Sequence, residues 1–486
     1  MHLKRVILKN FRCFENLEIA LHPRLTVLVA ENGGGKTAML DGIAFGLAPV
    51  LNHLSSANQR LPVPAKKDTD LRLVAKAGRG VKESWVASDF AQVEIELTTG
   101  LKWDRVQSSK KGRQPESKIG QAGLSAYTSR IYDGLQGQGQ ELLPVFAYYG
   151  ARRGWIAVPG RLRESKINYD FPTSALVGAL DSLSDFKEML KWFDRTEAAE
   201  LRANKGLPRQ DWDESSALNS VRWTIEAIVG DAYHNPQFNN RHQFVVESGT
   251  IPGMFLQVEQ LSQGYQSMLA LGMDFARRLA VANSHLDSVG NLLAVPGISE
   301  CFERIRPATK QNHSEKNIRK HAWHTLSATV FAPALMLVDE IDLHLHPAWQ
   351  QRVLGDLMEA FPCTQFIVTT HSPQVLTTLR KENIRILGRD EDDKWTAQEP
   401  SISPLAHESG DALALIMNTH PRPNLEYIMP DLYAYEQLAR AGRADSEEAR
   451  RIKARLDTVG YEFNEADLSL FSFLAAKAGK SKQETP

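Results

Sequence analysis

The sequence predicts an α/β fold with two lobes, a helical insertion between them and a helical C-terminal extension. Three observations lead to this prediction. An apolar segment at 25–29 runs through a glycine-rich loop into a helical stretch, which is the pattern of a buried strand, a turn and a helix. Two later apolar segments, 334–338 and 365–368, end in polar residues as buried parallel strands do. Between them, apolar residues recur at helical spacing.

The composition is that of a soluble globular protein. Of the 486 residues, 42% are hydrophobic and 24% are charged, and the mean hydropathy is −0.33. With 57 basic and 58 acidic residues the formal charge is −1, so contact with nucleic acid would require a local basic patch. The three widely spaced cysteines exclude a disulfide framework and a structural zinc site.

Nothing in the sequence indicates insertion into a membrane or export. No apolar run reaches the roughly 18 residues of a membrane span. The first residues alternate apolar and basic side chains and lack the apolar core of a signal peptide. We therefore expect a cytoplasmic protein with no membrane contact.

The chain divides into four parts, the two lobes being indicated by a family resemblance and the two helical parts by apolar periodicity. We predict a first lobe at 1–169, a helical insertion at 170–242, a second lobe at 243–396 and a helical extension at 397–486 that could dock a partner. The helices of the insertion carry apolar stripes that we expect in the core, namely Phe186, Leu190, Phe193, Leu218, Val221, Ile225 and Ile228. The pattern leaves open whether these helices rest on the lobes or project from them.

A phosphate-binding loop follows the first apolar segment. Residues 30–37 read Ala-Glu-Asn-Gly-Gly-Gly-Lys-Thr, a Walker A motif in which Ala30 replaces the first consensus glycine. Its glycines let backbone N–H groups close around phosphate, Lys36 would reach the β and γ oxygens of ATP, and Thr37 would ligate Mg²⁺. The candidate nucleotide-binding residues of this loop are Asn32, Gly33, Gly34, Gly35, Lys36, Thr37 and Ala38.

Two adjacent carboxylates end the apolar segment 334–338. These are Asp339 and Glu340, in the arrangement of a Walker B strand. Asp339 would hold Mg²⁺ through water, and Glu340 would polarise the water that attacks the γ-phosphate. The sequence therefore predicts a Mg-ATP site in which Glu340 and Lys36 are catalytic.

A candidate switch histidine, His371, follows the segment 365–368 in the string Thr-Thr-His-Ser-Pro. A histidine after a strand is more often structural than catalytic when it occurs alone. Here the order of the two Walker motifs and this strand favours a catalytic imidazole at the same edge of the sheet.

A short motif, Leu-Ser-Gln-Gly at 261–264, opens another helical pattern. Ser262, Gln263 and Gly264 offer donors for a γ-phosphate at a helix N-terminus, and the alternative is an ordinary helix cap made by the Ser262 side chain. The motif resembles the signature of ABC-type ATPases. In that family the signature faces the ATP of the other subunit, so the resemblance implies a homodimer at minimum and allows a higher oligomer.

The opening string Leu-Lys-Asn-Phe-Arg-Cys-Phe at 8–14 is similar to the heads of RecF and SMC-type proteins. This resemblance implies that Arg12 approaches the bound nucleotide, the alternative being an exposed arginine at a strand end. Lys36 and Asp339 are 303 positions apart. That separation is too long for a compact transporter ATPase and too short for the coiled coil of an SMC protein.

Three further strings carry a narrower resemblance. They are Leu-Pro-Val-Phe-Ala-Tyr-Tyr-Gly at 143–150, Asp-Glu-Ile-Asp-Leu-His-Leu-His-Pro at 339–347, and Glu-Ser-Gly-Asp-Ala-Leu at 408–413 in the helical tail. Together they resemble the PtuA ATPases of Septu and retron-linked anti-phage systems, which work with an HNH nuclease, PtuB. The resemblance implies a regulatory ATPase that uses ATP and Mg²⁺, has an HNH nuclease subunit as its partner and meets DNA through the complex.

Two other functions stay open. A RecF-like repair ATPase would bind DNA directly, without a nuclease partner, and would require a basic face. A degenerate scaffold would bind ATP without turnover, which the intact Lys36, Asp339 and Glu340 disfavour. Salt-sensitive DNA binding by the chain alone would indicate the repair protein.

Several basic and histidine-rich strings are weaker signals. The stretch 102–118 and the cluster of Arg152, Arg153, Arg161 and Arg163 could meet phosphates, although a solvated hairpin explains the first. His344 and His346 favour a packing and dimer-contact loop over a metal site. We predict no zinc site, since His313, His321 and His324 lack the paired spacing of zinc ligands.

Overall fold

The computed structural model describes residues 1–56, 59–78, 81–109, 119–136, 141–154, 165, 167–182, 186–230, 232–284, 332–419 and 424–463. The chain forms two compact units, Met1–Met417 and Asn418–Pro486. The first unit therefore continues past residue 397, where the sequence places the start of the extension. It does so because a strand at Trp395–Gln398 pairs with its neighbour and a helix at Ser409–Ile416 packs within the same unit.

Strands and helices are numbered in chain order. The strands are β1 (Leu3–Phe11), β2 (Phe14–Ala20), β3 (Leu25–Val29), β4 (Leu73–Gly78), β5 (Val81–Ala87), β6 (Phe90–Leu97), β7 (Lys102–Ser108), β8 (Val145–Tyr149), β9 (Tyr233–Phe238), β10 (Phe244–Ser248), β11 (Phe255–Gln257), β12 (Ala334–Val338), β13 (Thr364–Thr369), β14 (Ile384–Arg389) and β15 (Trp395–Gln398). The helices are α1 (Lys36–Leu54), α2 (Gln121–Gln136), α3 (Phe186–Ala203), α4 (Ser216–Val229), α5 (Gln263–Ala282), α6 (Pro347–Gln350), α7 (Val353–Ala360), α8 (Pro373–Leu376), α9 (Ser409–Ile416), α10 (Met429–Arg440) and α11 (Glu447–Thr458).

A six-stranded sheet forms the centre of the first unit, with the order β15-β14-β3-β13-β12-β8. Its strands are parallel except β15, which runs antiparallel to β14. Every residue of β3, β8, β12 and β13 is buried, which is why these strands appear in the sequence as unbroken apolar runs. The register pairs Val338 with both Val368 and Tyr149, and Val368 with Val27. The segments that follow these four strands therefore leave the sheet at one edge, and the predicted α/β class is confirmed.

Helix α1 packs against a second, antiparallel sheet with the order β2-β1-β6-β7. Two glycines one turn apart let the helix approach this sheet closely. A Cβ at Gly42 would clash with Leu8 Cδ2, and one at Gly46 would lie 2.8 Å from Ile95 Cγ1. The carbonyl of Gly46 also accepts a hydrogen bond of 2.8 Å from the indole of Trp103. This packing fixes the direction in which α1 leaves the phosphate-binding loop.

The predicted helical insertion contains α3 and α4. All seven apolar residues of the two predicted stripes are buried, so their assignment to the core is confirmed. Helix α4 packs along α5, and α3 contacts both helices. The insertion thus rests on the helix that follows the signature-like motif, and it does not project from the lobes.

The second unit contains α10 and α11, which lie in the part of the chain predicted to form a helical extension. Leu432 of α10 lies in one small apolar cluster, and Ile452 and Leu456 of α11 lie in another, with Tyr435 packed against both. The Arg455 guanidinium on α11 donates a hydrogen bond of 2.8 Å to Asp431 on α10.

Among the helices seen in the described parts of the chain, none has the length and apolar character needed to cross a bilayer.

Candidate nucleotide-binding site

The loop between β3 and α1 has the backbone of a phosphate cradle. Gly35 precedes the helix with φ of 83°, a left-handed conformation that favours glycine. A Cβ at Gly34 would lie 2.9 Å from the carbonyl oxygen of Glu31, so a side chain at this position would clash with backbone. The first turn of α1 contains no acidic residue and has no capping side chain. Its unpaired N–H groups and the positive end of the helix dipole therefore suit an anion.

The Lys36 side chain lies inside this loop. Its ammonium donates hydrogen bonds to the carbonyl oxygens of Ala30 at 2.7 Å and of Glu31 at 3.1 Å, and the residue is only 7% exposed. Burial lowers the pKa of Lys36, and the nearby carboxylates of Asp339 and Glu340 oppose that change without cancelling it. The ammonium is thus held beside the cradle by carbonyl groups that a phosphate oxygen could replace.

The two Walker motifs meet at Asp339. Thr37, the second residue of α1, donates a hydrogen bond of 2.9 Å from its hydroxyl to Oδ2 of Asp339. The other carboxylate oxygen, Oδ1, accepts a hydrogen bond of 2.6 Å from the hydroxyl of Thr369 at the end of β13. Both partners reach this carboxylate because β13 lies between β3 and β12 in the sheet. The structure therefore brings together the predicted magnesium residues Thr37 and Asp339.

Glu340 follows Asp339 in a strained backbone conformation. Its φ is 49°, in the left-handed region, which costs a residue other than glycine roughly 1–2 kcal/mol. The N–H of Glu340 donates a hydrogen bond of 2.7 Å to the Thr369 hydroxyl, and the N–H of Ile341 donates one of 2.9 Å to the Thr369 carbonyl. These two bonds tie the turn that carries Glu340 to the end of β13.

His371 lies at the same edge of the sheet, two residues beyond β13. Its backbone N–H donates a hydrogen bond of 3.3 Å to Oδ1 of Asp342, and the same oxygen accepts one of 2.6 Å from the Thr370 hydroxyl. The next residue, Ser372, donates a hydrogen bond of 2.6 Å to the Gln350 side chain. The loop after β12 therefore holds the backbone of His371 through Asp342.

The signature-like motif begins α5. Ser262 occupies the N-cap position, but its hydroxyl makes no capping bond to the helix, and Ser262 and Gln263 are exposed. Gly264 is buried, and a Cβ there would lie 2.7 Å from the carbonyl oxygen of His344. The motif thus packs against the loop after β12 while it presents Ser262 and Gln263 to solvent.

A buried group of charges joins α5 to β8. The Tyr149 hydroxyl donates a hydrogen bond of 2.9 Å to Asp274, whose two oxygens also accept bonds of 2.7 Å from Arg277 and Arg278. Burial raises the pKa of Asp274, but the two guanidinium groups outweigh burial and hold that pKa well below its usual range. The carbonyl of Tyr149 accepts a hydrogen bond of 2.8 Å from the N–H of Asp339. The helix of the signature-like motif is therefore connected to the Walker B strand through a single residue of β8.

Arg12 lies in the turn between β1 and β2. Its guanidinium donates hydrogen bonds of 3.1 and 3.0 Å to Asp70 and also pairs with Asp41 of α1. Burial lowers the pKa of Arg12, but the two carboxylates overcome this effect and raise it. The arginine is thus attached to the helix that begins at the phosphate-binding loop, and it is not the exposed strand-end residue of the alternative interpretation.

The basic and histidine-rich strings of the sequence have structural roles at the positions that the structure describes. Trp103 is fully buried, and Arg105 lies 4.3 Å above the ring of Phe45, where burial lowers its pKa to about 10. The ring of His346 caps α6 by accepting a hydrogen bond of 3.3 Å from Ala348. The other residues of these strings lie outside the described residues. They are the rest of the first basic stretch (110–118), Arg161, Arg163, the Arg153 side chain, His313, His321 and His324.

Several residues that organise this site have no role predicted from the sequence. Thr369, Asp342 and Gln350 make the bonds described above, and Tyr149 connects α5 to the Walker B strand. The available signal was the pair of threonines before His371, because two hydroxyls at the end of a buried strand require hydrogen-bond partners. Those partners could not be identified without the order of the strands.

Comparison with known proteins gives two matches to domain families. A family described as "AAA domain" matches residues 5–219, and one described as "AAA domain, putative AbiEii toxin, Type IV TA system" matches residues 321–377. The first match contains the phosphate-binding loop, and the second contains Asp339, Glu340 and His371. Both halves of the nucleotide site therefore lie in segments similar to AAA domains.

Two relatives are similar over most of the chain. The retron Vc95 probable ATPase of Vibrio cholerae serotype O1 biovar El Tor is 22% identical over 93% of this chain and 86% of its own length. The retron Ec83 probable ATPase of Escherichia coli is 24% identical over 92% of this chain and 82% of its own length. A shorter match, to the Septu protein PtuA of Bacillus thuringiensis, is 41% identical over 14% of this chain and 17% of that protein.

Proposed function

We propose that this chain, an ATPase with AAA-type domains and a homologue of retron ATPases over most of its length, is the regulatory subunit of an anti-phage defence complex. Its nucleotide state controls an associated HNH nuclease. The observation that carries the ATPase part is the hydrogen bond between Thr37 and Asp339, which unites the two Walker motifs in one site. The defence role rests on the similarity to retron ATPases and to the Septu protein PtuA.

The N-terminus of α1 and the Lys36 ammonium bind the β- and γ-phosphates of ATP. The residues present also fit Mg²⁺, because the Thr37 hydroxyl and the Asp339 carboxylate are hard oxygen ligands 2.9 Å apart beside the cradle. Thr37 and Asp339 would hold the ion, which when bound neutralises charge on the phosphates. These roles use the groups whose positions β3, β12 and β13 fix.

Glu340 and His371 act at the γ-phosphate. The Glu340 carboxylate accepts a proton from water while the water oxygen bonds to the γ-phosphorus. The bond from the γ-phosphorus to the β–γ bridging oxygen breaks, and ADP leaves with the electron pair. His371 donates a hydrogen bond to the γ-phosphate oxygens, which gain charge as this occurs.

A second copy of the chain completes the site. Ser262 and Gln263 are exposed, and the Ser262 hydroxyl does not cap its own helix. In the proposed dimer these two residues and the N-terminus of α5 bind the γ-phosphate held by the other subunit. ATP then stabilises the closed dimer, and hydrolysis releases it. The activity of the nuclease depends on which of these two states the ATPase occupies.

Copurification of the chain with the protein encoded by the neighbouring gene, which the proposal expects to be an HNH nuclease, tests this function. Light scattering reports whether the two form a complex, and a DNA-cleavage assay with and without Mg-ATP reports whether nucleotide controls the cutting. We expect a complex whose cleavage changes with nucleotide, and a Glu340→Gln complex fixed in the ATP-bound behaviour. A chain that ignores the nuclease and binds DNA by itself in a salt-sensitive manner would instead indicate a RecF-like repair ATPase.

A further inference from the structure

Thr369 contacts both acids of the Walker B motif through one hydroxyl group. The hydroxyl donates a hydrogen bond of 2.6 Å to Oδ1 of Asp339 and accepts one of 2.7 Å from the N–H of Glu340. Thr369 itself is fully buried. A hydroxyl has one hydrogen to donate, and here that hydrogen points to the carboxylate.

The two carboxylate oxygens of Asp339 have different hydrogen-bond donors and therefore different roles. Oδ1 is engaged by Thr369 from within the sheet, and Oδ2 is engaged by Thr37 from the side of the phosphate-binding loop. Thr37 and Oδ2 face each other at the place proposed for Mg²⁺, whereas Thr369 has no proposed contact with ligand. The threonine hydroxyl therefore fixes the rotation of the carboxylate and leaves Oδ2 directed toward the ion.

The second bond of Thr369 acts on Glu340. A residue other than glycine with φ of 49° keeps that conformation only where surrounding bonds impose it. The N–H of Glu340 bonds to the Thr369 hydroxyl, and the N–H of Ile341 bonds to the Thr369 carbonyl. The direction in which the chain carries the Glu340 side chain is thus set by Thr369.

We propose that Thr369 is a positioning residue that sets the geometry of both Walker B acids, Asp339 for Mg²⁺ and Glu340 for the attacking water. The proposal rests on the nucleotide site of the proposed function. It assigns Thr369 no contact with ATP, Mg²⁺ or water. Its consequence is that loss of one buried hydroxyl alters magnesium use and turnover together.

The test compares Thr369→Val with Thr369→Ser, in the full chain and any complex it forms. Thr26→Val is the matched control, because Thr26 is equally buried on the neighbouring β3 and its hydroxyl accepts a bond of 2.9 Å from His22, outside the site. Three quantities are measured: the Mg²⁺ concentration that half-saturates binding of fluorescent ADP, kcat with KM for ATP, and the melting temperature. Binding of ADP without Mg²⁺ is measured in parallel.

We expect Thr369→Val to raise the half-saturating Mg²⁺ concentration and to lower kcat, each by about 10- to 100-fold, the usual effect of losing a hydrogen bond to a metal ligand. ADP binding without Mg²⁺ should stay at the wild-type level, and Thr369→Ser and Thr26→Val should retain wild-type magnesium use. If Thr369→Val fails to fold, Thr369→Ala and Thr369→Ser, which differ by one hydroxyl, replace it in the comparison.

Two results would overturn the proposal. In one, the hydroxyl-free variant uses Mg²⁺ as the wild type does; in the other, Thr26→Val shifts magnesium use equally, which would indicate a general effect on the sheet. Failure of the proposed function would give a different experimental result. In that case the wild-type chain itself neither binds nor hydrolyses Mg-nucleotide, whatever residue stands at position 369.

Discussion

The hydroxyl of Thr37 lies 2.9 Å from Oδ2 of Asp339, although 302 positions of sequence separate the two residues. This contact forms because β13 holds β3 and β12 on its two sides in one register. The contact places a helix N-terminus that is suited to phosphate beside a carboxylate that is suited to Mg²⁺.

Asp339→Asn should lower the rate of ATP hydrolysis at least about 100-fold, because an amide cannot replace the charge of a carboxylate toward Mg²⁺. Phosphate release at saturating ATP measures the rate. Asp392→Asn provides the control, since Asp392 is largely exposed and pairs with Lys394 on the surface. Hydrolysis by Asp339→Asn within a few-fold of the wild type would contradict the proposed magnesium site.

Glu340→Gln should bind ATP but hydrolyse it at least about 100-fold more slowly, since glutamine cannot accept a proton from water. The ATP-bound dimer should then persist. Size-exclusion chromatography with light scattering, in ATP and in ADP, measures the mass. We expect a dimer in ATP for Glu340→Gln, and its loss when Ser262→Arg is added to that variant. A monomer under all conditions would count against the sandwiched site.

Asp342→Ala should lower kcat by about 10-fold, because Thr370 and the backbone of His371 lose their shared acceptor. The same reasoning predicts non-additivity: adding His371→Ala should lower kcat by less than the product of the two single effects. Asp356→Ala on α7 serves as the control, because that carboxylate pairs with Arg352 at the N-cap of the same helix. Independent effects of the two substitutions would show that Asp342 does not act through His371.

Asp274→Asn should reduce the free energy of unfolding by about 3–5 kcal/mol, since Arg277 and Arg278 would remain buried without their counter-charge. Urea unfolding followed by circular dichroism measures the loss. Asp411→Asn, the same chemical change at an exposed carboxylate, should have little effect. Equal stability of Asp274→Asn and wild type would mean that the buried charges are not essential to the fold.

The depressed pKa of Asp274 also fixes how this difference depends on pH. A carboxyl group with a lowered pKa in the folded state contributes stability at every pH above its value in the unfolded chain, about 3.9. That contribution is lost as the pH falls through the lower, folded value. The difference between wild type and Asp274→Asn should therefore be constant from about pH 5 to pH 8 and diminish only in stronger acid.

Local sequence patterns predicted the parts of the site that are local in the chain. The apolar strands at 25–29 and 334–338 have the predicted limits, and the strand predicted at 365–368 is one residue longer at each end, Thr364–Thr369. A helix follows the phosphate-binding loop as predicted, and Lys36 and Thr37 of the loop motif already belong to its first turn. Such motifs are recognisable because the phosphate cradle and the Walker B strand each need only neighbouring residues.

The remaining features depend on contacts between distant segments. No periodicity specifies that Thr369 lies beside Asp339, since this follows from the position of β13 between β3 and β12. The same holds for Arg12, whose guanidinium meets Asp41 and Asp70. The resemblance to RecF and SMC-type heads predicted that Arg12 approaches the nucleotide. It did not predict that two carboxylates pair with this arginine. Residues of this kind require the fold before their partners can be named.

The strand order has a consequence for the synthesis of this protein. β13 is central in the sheet, yet it is made after β3, β8 and β12, and it ends at Thr369 of a chain of 486 residues. A nascent chain emerging from the ribosome can fold its antiparallel lobe early, because those strands are close in sequence. It cannot acquire a competent ATP site until β13 has been inserted between its neighbours. Truncated translation products that end before this strand would therefore be unable to bind ATP as the complete chain does.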